Sequence, residues 1–292
     1  MGGREPELVH PAFCQYGVPG GTGPVLIAVP HAGREYPADI VRRARVGLAG
    51  LQALEDRYAD AIAAEAVAAG HCTLIARRGR AVIDLNRHAA EIDHGSVADI
   101  PHGAPMRVSA KLRGGLGLVP HRYHSIGELW LRRPSYAEVA ERIRLVHSPY
   151  HEQVAGLLAE TAAVHGSACL IDLHSMPPLK GPDGQGGVDV VLGDRFGQSA
   201  SVAITRSAAL LIESHGFRVA INAPYAGGYT LERHGRPHGA IHALQVEIDR
   251  SLYLDEVLDQ PGPGGERCAR MVADLAAMLG SALGDRVPLA AE

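Results

Sequence analysis

Short apolar runs alternate along this chain with longer segments in which apolar residues recur at helical spacing. The run Val25–Val29 is typical of the first kind, and the segment 199–215 of the second. Further strand-like runs cover residues 71–76, 81–85, 168–173, 189–192, 217–221 and 241–250, and further helical patterns cover 51–70, 135–165 and 266–283. Alternation of strands with helices favours helices packed on both faces of one sheet. We therefore predict an α/β fold, with three α/β/α layers around a mixed, largely parallel, twisted sheet.

Two parts of the chain lack this regular alternation. Residues 1–20 lead into the first strand through a Gly-rich turn and are predicted to form a peripheral arm. Residues 88–133 have no clear period and are rich in Gly, Pro, His and Arg, which is typical of a functional flap or insertion. Neither segment has the regular pattern of apolar residues that a hydrophobic core of its own would need. Residues 1–292 are therefore predicted to form a single domain.

Composition narrows the class of partner. Hydrophobic residues make up 46% of the chain and charged residues 21%, which is ordinary for a globular protein. A formal net charge of -4 offers no broad basic surface to a nucleic acid, and no apolar run approaches the roughly 20 residues that span a bilayer. The four cysteines are scattered, without the spacing of a zinc site or of a disulfide framework. We therefore expect a cytoplasmic protein with a small-molecule substrate and with no nucleic-acid or membrane partner. The sequence carries no signal for an oligomeric state.

Two histidines follow predicted strands. His31 comes directly after the strand Val25–Val29, and His174 comes where the predicted strand 168–173 ends. A single histidine in such a place is more often a hydrogen-bonding cap than a ligand. Two at equivalent strand ends favour a metal site, because catalytic residues of α/β proteins gather at the carboxyl ends of strands. The expected metal is Zn²⁺, or another divalent cation.

A catalytic zinc site of this kind takes a third protein ligand, which we expect to be a carboxylate. Asp56 is the predicted ligand, with Glu55 and Asp60 as alternatives near the start of the predicted helix 51–70. Acidic residues near a helix N-terminus are also common without any metal, because they complement the helix dipole.

Glu247 lies inside the strand-like run HALQVEIDR, where apolar neighbours would bury it. A buried carboxylate without a partner is costly, so its presence needs a reason. We predict that Glu247 is a general base beside the metal, and the structural alternative is a salt bridge to Arg250 or another arginine.

Five further residues are predicted to bind substrate. Asn86 and Arg87 end the run VIDLNR, where a guanidinium could meet a carboxylate in a fork. Asn222 and Tyr225 lie in the loop NAPYAGGY, and Arg233 follows in LERHGRPHG. The alternatives are an ordinary surface ion pair for the arginine and an ordinary turn for the loop.

Seven motifs lie in order between about residues 30 and 253: PHAGREYP, EDRYAD, VIDLNR, SPYHEQV, LIDLHSMP, NAPYAGGYT and LQVEIDRSLY. In this set the chain resembles the N-formylglutamate amidohydrolase family. The resemblance implies hydrolysis of N-formyl-L-glutamate to formate and L-glutamate in histidine degradation, so the substrate would be a small acidic N-acyl amino acid. It also implies a zinc-carboxypeptidase-like α/β fold.

Within the wider carboxypeptidase group, DLNR resembles a substrate-carboxylate motif, DLHS the motif of the second histidine ligand, and VEI that of the glutamate base. The chain departs from that group in having no His-x-x-Glu pair at His31. Two other functions stay open. One is a deacylase or carboxypeptidase-like hydrolase acting on another N-acyl amino acid. The other is a binding protein without catalysis, which would be expected to lack a ligand or the base, whereas His31, His174 and Glu247 are all present.

Overall fold

The computed structural model describes residues 5–180 and 187–284. The strands are β1 Leu8–His10, β2 Phe13–Tyr16, β3 Val25–Val29, β4 Cys72–Ala76, β5 Arg122–Tyr123, β6 Gly127–Glu128, β7 Ala168–Met176, β8 Val190–Gly193, β9 Val219–Ile221 and β10 Ile241–Asp249. The α-helices are α1 Ala38–Arg43, α2 Gly47–Gln52, α3 Ala59–Ile62, α4 Ala64–Ala68, α5 Ala110–Arg113, α6 Tyr136–Arg142, α7 Ser148–His165, α8 Val202–Ser214, α9 Tyr229–His234 and α10 Gly265–Gly284. No helix in these ranges is both long and apolar enough to cross a membrane.

The main sheet has the strand order β1-β2-β4-β3-β7-β10-β8-β9, and β5 and β6 form a separate hairpin. The four central strands β4, β3, β7 and β10 run parallel to one another. Antiparallel pairing joins β2 to β4 and β8 to β10, so the sheet is mixed. Parallel strands are normally covered on both faces, and that is the case here.

Side chains of the central strands alternate between two apolar layers. In β3, Ile27 belongs to the layer formed with α3, α4, α8 and α10, whereas Leu26 belongs to the layer formed with α7 and α9. The same alternation in β7 sends Ile171 to the first layer and Leu170 to the second. This period of two follows from the pleat of a strand. The predicted three-layer arrangement around a mixed sheet is confirmed.

The predicted strand 81–85 is wrong. These residues are buried but form no strand. The edge of β4 that they would need is taken by β2, so no neighbouring strand is left to pair with them. Strand β2 comes from residues 1–20, so the segment predicted as a peripheral arm contributes two strands to the sheet, and its residues 1–4 lie outside the described residues.

The predicted helix 51–70 is also wrong as a single element. It is divided among the end of α2, a turn, α3 and α4. Tyr58 interrupts the helical path with a φ of 56°. The backbone of Asp56 lies in this turn and donates from its N to the carbonyl oxygen of His31 at 3.0 Å. The interruption therefore lets the chain turn back towards the end of β3.

Residues 88–133 contain α5 and the β5–β6 hairpin. Val97, Leu118 and Val119 reach the apolar layer under α7, and Leu129 and Trp130 form a smaller cluster with Ile40, Leu51 and Leu54. The segment thus packs on the body of the protein while its inner side faces the cavity described below.

The predicted helical segment 135–165 has its irregularity just before Pro149, where residues Ile143–His147 form a π-helical turn between α6 and α7. Pro149 follows this π-helical turn, at the start of α7.

Candidate active site

His31, Asp56 and His174 converge at one end of the central strands. The Nδ1 atom of His174 lies 2.9 Å from Oδ2 of Asp56, and Nδ1 of His31 lies 3.3 Å from the same oxygen. The two imidazole rings are 4.7 Å apart between centroids. All three side chains are buried. His31 follows β3 as expected, whereas His174 lies within β7, two residues before its end, rather than beyond the strand.

Each histidine is held from behind by a second carboxylate. Nε2 of His31 lies 2.7 Å from Oδ1 of Asp84, and Nε2 of His174 lies 3.0 Å from Oδ2 of Asp172. A carboxylate can only accept, so each Nε2 carries the proton and each Nδ1 is turned towards Asp56. Metal-binding histidines are commonly oriented in this way, with the remote ring nitrogen bonded to a carboxylate.

The donor set fits a divalent cation. Buried Nδ1 of His31 has no hydrogen-bond partner among the described residues, and an unpaired buried nitrogen is costly. One ligand atom each from His31, Asp56 and His174 lies within 4.8 Å of the other two. Two imidazole nitrogens and one carboxylate oxygen form a typical protein ligand set for catalytic Zn²⁺.

The other two acidic candidates are engaged elsewhere. Glu55 accepts from the Tyr36 hydroxyl at 2.7 Å and pairs with Arg57 at 2.8 Å. Asp60 forms a bidentate pair with Arg34 at 2.8 and 2.7 Å. Among the three carboxylates that the sequence left open, Asp56 is therefore the one that the fold brings to the histidines.

The charges in this cluster stabilise one another. Burial opposes ionisation of Asp56, but the neighbouring imidazoles of His174 and His31 hold its pKa well below the usual range. Burial likewise opposes the charge of Asp84, but Arg80 and Arg87 lower the pKa of that carboxyl. Although burial disfavours the imidazolium, the carboxylates of Asp172 and Asp56 raise the pKa of His174 well above its ordinary value. The cluster therefore has ionised carboxylates at its centre.

A cavity of about 420 Å³ opens beside the cluster. Its walls come from the turn before α3, the segment 80–87, α5, the β5–β6 hairpin, the end of β7 and the loop 224–228. The segment 88–133 supplies Lys111, Leu116, Tyr123 and His124 to these walls. The volume suits a small ligand.

Glu247 faces this cavity from β10, where it is the register partner of His174 in β7. The amide of Gln245 donates to Oε1 of Glu247 at 2.8 Å. Burial raises the pKa of Glu247, against the opposing charge of His174. The alternative predicted for it, a salt bridge to Arg250, is not formed among the described residues. Arg250 instead pairs with Asp56 at 3.0 Å and donates to Ser175.

Three of the five predicted substrate contacts, Asn86, Arg87 and Tyr225, line the cavity. Asn86 accepts from the backbone N of Thr230 at 2.9 Å, and its own amide lies 3.2 Å from Nε2 of His174. Any side chain on Gly228 would meet Oδ1 of Asn86 at 2.3 Å, so a glycine is needed where this loop crosses the site.

Arg87 is already partly engaged. Its Nε donates to the carbonyl oxygen of Leu116 at 2.9 Å, and its Nη1 donates to that of Asn86 at 2.6 Å. These bonds fix the guanidinium at the wall and leave Nη2 and one hydrogen of Nη1 for a ligand.

The other two predicted contacts lie elsewhere. Asn222 and Asp194 hydrogen-bond each other twice, with Nδ2 of Asn222 donating to Oδ1 of Asp194 at 2.7 Å. Arg233 donates to the Tyr229 hydroxyl at 2.9 Å. Neither residue is among those that line the cavity in the described part of the chain.

The polar residues of the cavity wall that sequence reasoning missed include Arg80, Lys111, Gln245 and, as a partner of Asp56, Arg250. Gln245 could have been found, because it lies two residues before Glu247 and must share its face of the strand. Arg80 lies in a turn, four residues before Asp84, where no helical or strand-like repeat would identify it as a site residue. Lys111 lies in the aperiodic segment 88–133, where spacing carries no information.

The chain as a whole is similar to several known proteins. The family model described as N-formylglutamate amidohydrolase matches residues 23–254. An N-formylglutamate deformylase of Pseudomonas aeruginosa is 30% identical over 255 residues, which cover 81% of this chain and 84% of that protein. One of Pseudomonas putida is 29% identical, covering 80% and 82%. The crystal structure of an N-formylglutamate amidohydrolase from Ralstonia eutropha JMP134 superposes with a TM-score of 0.86 at 28% identity, over 94% of this chain and 99% of that one. The chain belongs to the N-formylglutamate amidohydrolase family.

Proposed function

We propose that this protein is a metal-dependent amide hydrolase that cleaves N-formyl-L-glutamate to formate and L-glutamate, in the cytoplasm and as part of histidine degradation. The observation that carries the proposal is the joint position of a two-histidine, one-carboxylate cluster and a glutamate on one small cavity. The activity for which the two Pseudomonas relatives are named supports the choice of substrate.

In this proposal His31, Asp56 and His174 hold the metal, Zn²⁺ or another divalent cation. Such a cation polarises a carbonyl oxygen and lowers the pKa of water towards about 7. Asp84 and Asp172 keep both imidazoles turned with Nδ1 towards Asp56. These remote bonds maintain the ligand geometry.

Glu247 acts as the general base. It takes a proton from the attacking water and passes it to the nitrogen of the leaving amine, since expulsion of an amine requires that nitrogen to be protonated. The Gln245 amide fixes one oxygen of this carboxylate at 2.8 Å. Burial raises the pKa of Glu247, which favours its part as proton carrier.

Arg87, Asn86 and Tyr225 position the substrate. Arg87 offers its remaining donors to the carboxylate next to the scissile amide, and the hydroxyl of Tyr225 and the amide of Asn86 bond to neutral polar groups. Asn222 and Arg233 act from behind this wall, through Asp194 and Tyr229.

The test is formate release from a panel of N-formyl and N-acyl amino acids, before and after chelation, with Zn²⁺ and other divalent cations added back. We expect the highest kcat/KM on N-formyl-L-glutamate, loss of activity with chelator, and recovery with metal. His174→Ala is expected to lose bound metal and turnover together. Full activity in chelator, or full metal content with normal turnover in His174→Ala, would overturn the metal assignment. A higher kcat/KM on an amino acid with a different acyl group would identify that compound, rather than N-formyl-L-glutamate, as the substrate.

A further inference from the structure

Lys111 places an ammonium group at the wall of the cavity. We propose that this group binds the side-chain carboxylate of the substrate and thereby selects dicarboxylic N-formyl amino acids. The inference rests on the proposed function, because it concerns the second carboxylate of that substrate. Nothing in the motifs points to this residue.

The neighbouring cations of the cavity have partners within the protein. Arg80 donates to Asp84 at 2.9 Å, Arg250 pairs with Asp56 at 3.0 Å, and Arg87 bonds to two backbone carbonyls. Among the described residues, no carboxylate forms a salt bridge with Lys111 and no acceptor hydrogen-bonds to its ammonium, although Glu247 and Asp84 are near enough to favour its charge. Its ammonium lies 5.6 Å from the centroid of the Tyr225 ring. Lys111 is therefore, like the free donors of Arg87, a cavity cation that the protein leaves for a ligand.

Local contacts hold α5, the four-residue helix that carries Lys111, against the body of the protein. The side chain of Ser109 caps α5 by accepting from the N of Leu112, and it also donates to Glu91 at 2.6 Å. Leu112 is buried in the next position. The residues on both sides of Lys111 thus attach α5 to the body of the protein.

Lys111 and Arg87 belong to one hydrogen-bonded unit. The N of Leu116 donates to the carbonyl oxygen of Lys111 at 2.8 Å, and the carbonyl oxygen of Leu116 accepts from Nε of Arg87 at 2.9 Å. The backbone of Lys111 and the guanidinium of Arg87 are therefore tied together through Leu116, so that the two residues share one wall of the cavity. A substrate with two carboxylates can satisfy both, whereas a monocarboxylate leaves one of them unpaired.

The electrostatics agree with this geometry. Although the residue as a whole is exposed, its ammonium is partly withdrawn from solvent, and this desolvation, together with Arg87 and Arg80, lowers the pKa of Lys111. A cation destabilised in this way gains more from a bound carboxylate than a freely hydrated one does.

The kinetic test compares N-formyl-L-glutamate with N-formyl-L-glutamine, which has the same shape but a neutral side chain. In Lys111→Met we expect kcat/KM for the glutamate substrate to fall by about 10- to 100-fold, mainly through KM, while that for the glutamine substrate changes by less than about 3-fold. Lys111→Arg should keep much of the preference, because it retains the charge. Lys180→Met removes the other lysine of the chain, which is exposed, and should match the wild type.

A second test does not depend on turnover. Lys111 and Lys180 are the two lysines of the chain, so an amine-reactive reagent read by mass spectrometry reports each separately. In the turnover-impaired variant Glu247→Gln, N-formyl-L-glutamate should protect Lys111 several-fold from labelling and leave Lys180 unchanged. N-formyl-L-glutamine should protect Lys111 much less.

An unchanged preference in Lys111→Met, together with equal labelling of Lys111 with and without the glutamate substrate, would overturn the inference while the proposed function stands. Absence of formate release from the wild type, with Lys111 still protected by N-formyl-L-glutamate, would overturn the proposed function and leave the dicarboxylate site in place.

Discussion

His174 and Glu247 lie side by side as register partners in the parallel strands β7 and β10. Two residues earlier, on the same face of each strand, lie Asp172 and Gln245, which are also partners. Asp172 holds His174 at 3.0 Å, and Gln245 holds Glu247 at 2.8 Å. Each functional side chain is thus oriented by the residue two positions before it in its own strand, so that the pleat of the sheet sets the geometry of the site.

This arrangement predicts a specific role for Asp172. Asp172→Asn should keep the fold but weaken the orientation of His174, lowering metal affinity by about 10- to 100-fold. Isothermal titration with Zn²⁺, in a competing chelator, measures the affinity. Glu141→Gln is the matched control, because it removes one carboxylate from an exposed ion pair with Arg144. Equal Zn²⁺ affinity in Asp172→Asn and the wild type would contradict the role.

Replacing Glu247 separates a base from a ligand. Glu247→Gln keeps the shape and cannot accept a proton, so kcat should fall by about 100-fold or more while metal content stays at the wild-type level. Steady-state kinetics and metal analysis of the same preparation measure both. If metal is lost along with turnover, Glu247 is a ligand and another group must carry the proton.

In the proposed function Arg87 binds a substrate carboxylate and also holds the cavity wall through its hydrogen bonds to Leu116 and Asn86. Arg87→Lys keeps the charge but cannot bond Leu116 and Asn86 while also offering two donors to a carboxylate. We expect kcat/KM on N-formyl-L-glutamate to fall by about 10- to 150-fold, mainly as a raised KM. On an N-formyl amine without carboxylates, the variant and the wild type should be equally slow. Wild-type kcat/KM for Arg87→Lys would place the carboxylate contact elsewhere.

A buried pair of histidines behind the site predicts sensitivity to acid. Nε2 of His151 donates to the carbonyl oxygen of Leu85 at 2.8 Å, so its Nδ1 can accept from Nε2 of His234 at 3.0 Å. This pattern requires a neutral His151 ring, because its Nδ1 is the acceptor. Burial, reinforced by Arg233 and Arg236, lowers the pKa of His234 to about 3, and burial also lowers the pKa of His151.

For His234 the sign follows from the unfolded chain, which binds a proton near its ordinary pKa of 6.5 while the folded protein does not. Its contribution to stability is complete above about pH 6.5 and is lost as the pH falls towards about 3. The free energy of unfolding should decrease by about 1.4 kcal/mol per pH unit in that range from His234 alone. Urea unfolding of metal-free protein at pH 7 and pH 5 measures this. His234→Phe should show a smaller difference between the two pH values, and an equal difference would contradict the assignment.

Much of the fold and the central chemistry could be predicted from local sequence. The buried runs of β3, β4 and β7 and the long helices α7, α8 and α10 follow from period and length, because a strand or helix must present its apolar positions to a neighbour. His31, His174 and Glu247 were identifiable because each is a polar residue next to or inside an apolar strand, where it needs a reason to be present.

Tertiary structure alone decided which of Glu55, Asp56 and Asp60 reaches the histidines. Their chemistry is the same, and the choice depends on the turn at Tyr58 and on the bond from the backbone of Asp56 to His31. It also decided that residues 81–85 form no strand, since the edge they required is filled by β2 from the far N-terminal segment. The same holds for Lys111 and Asn222, because a loop residue has no period to relate its place in the chain to its place in space. Local patterns therefore indicate which side chains are chemically unusual, whereas long-range contacts determine which of them meet.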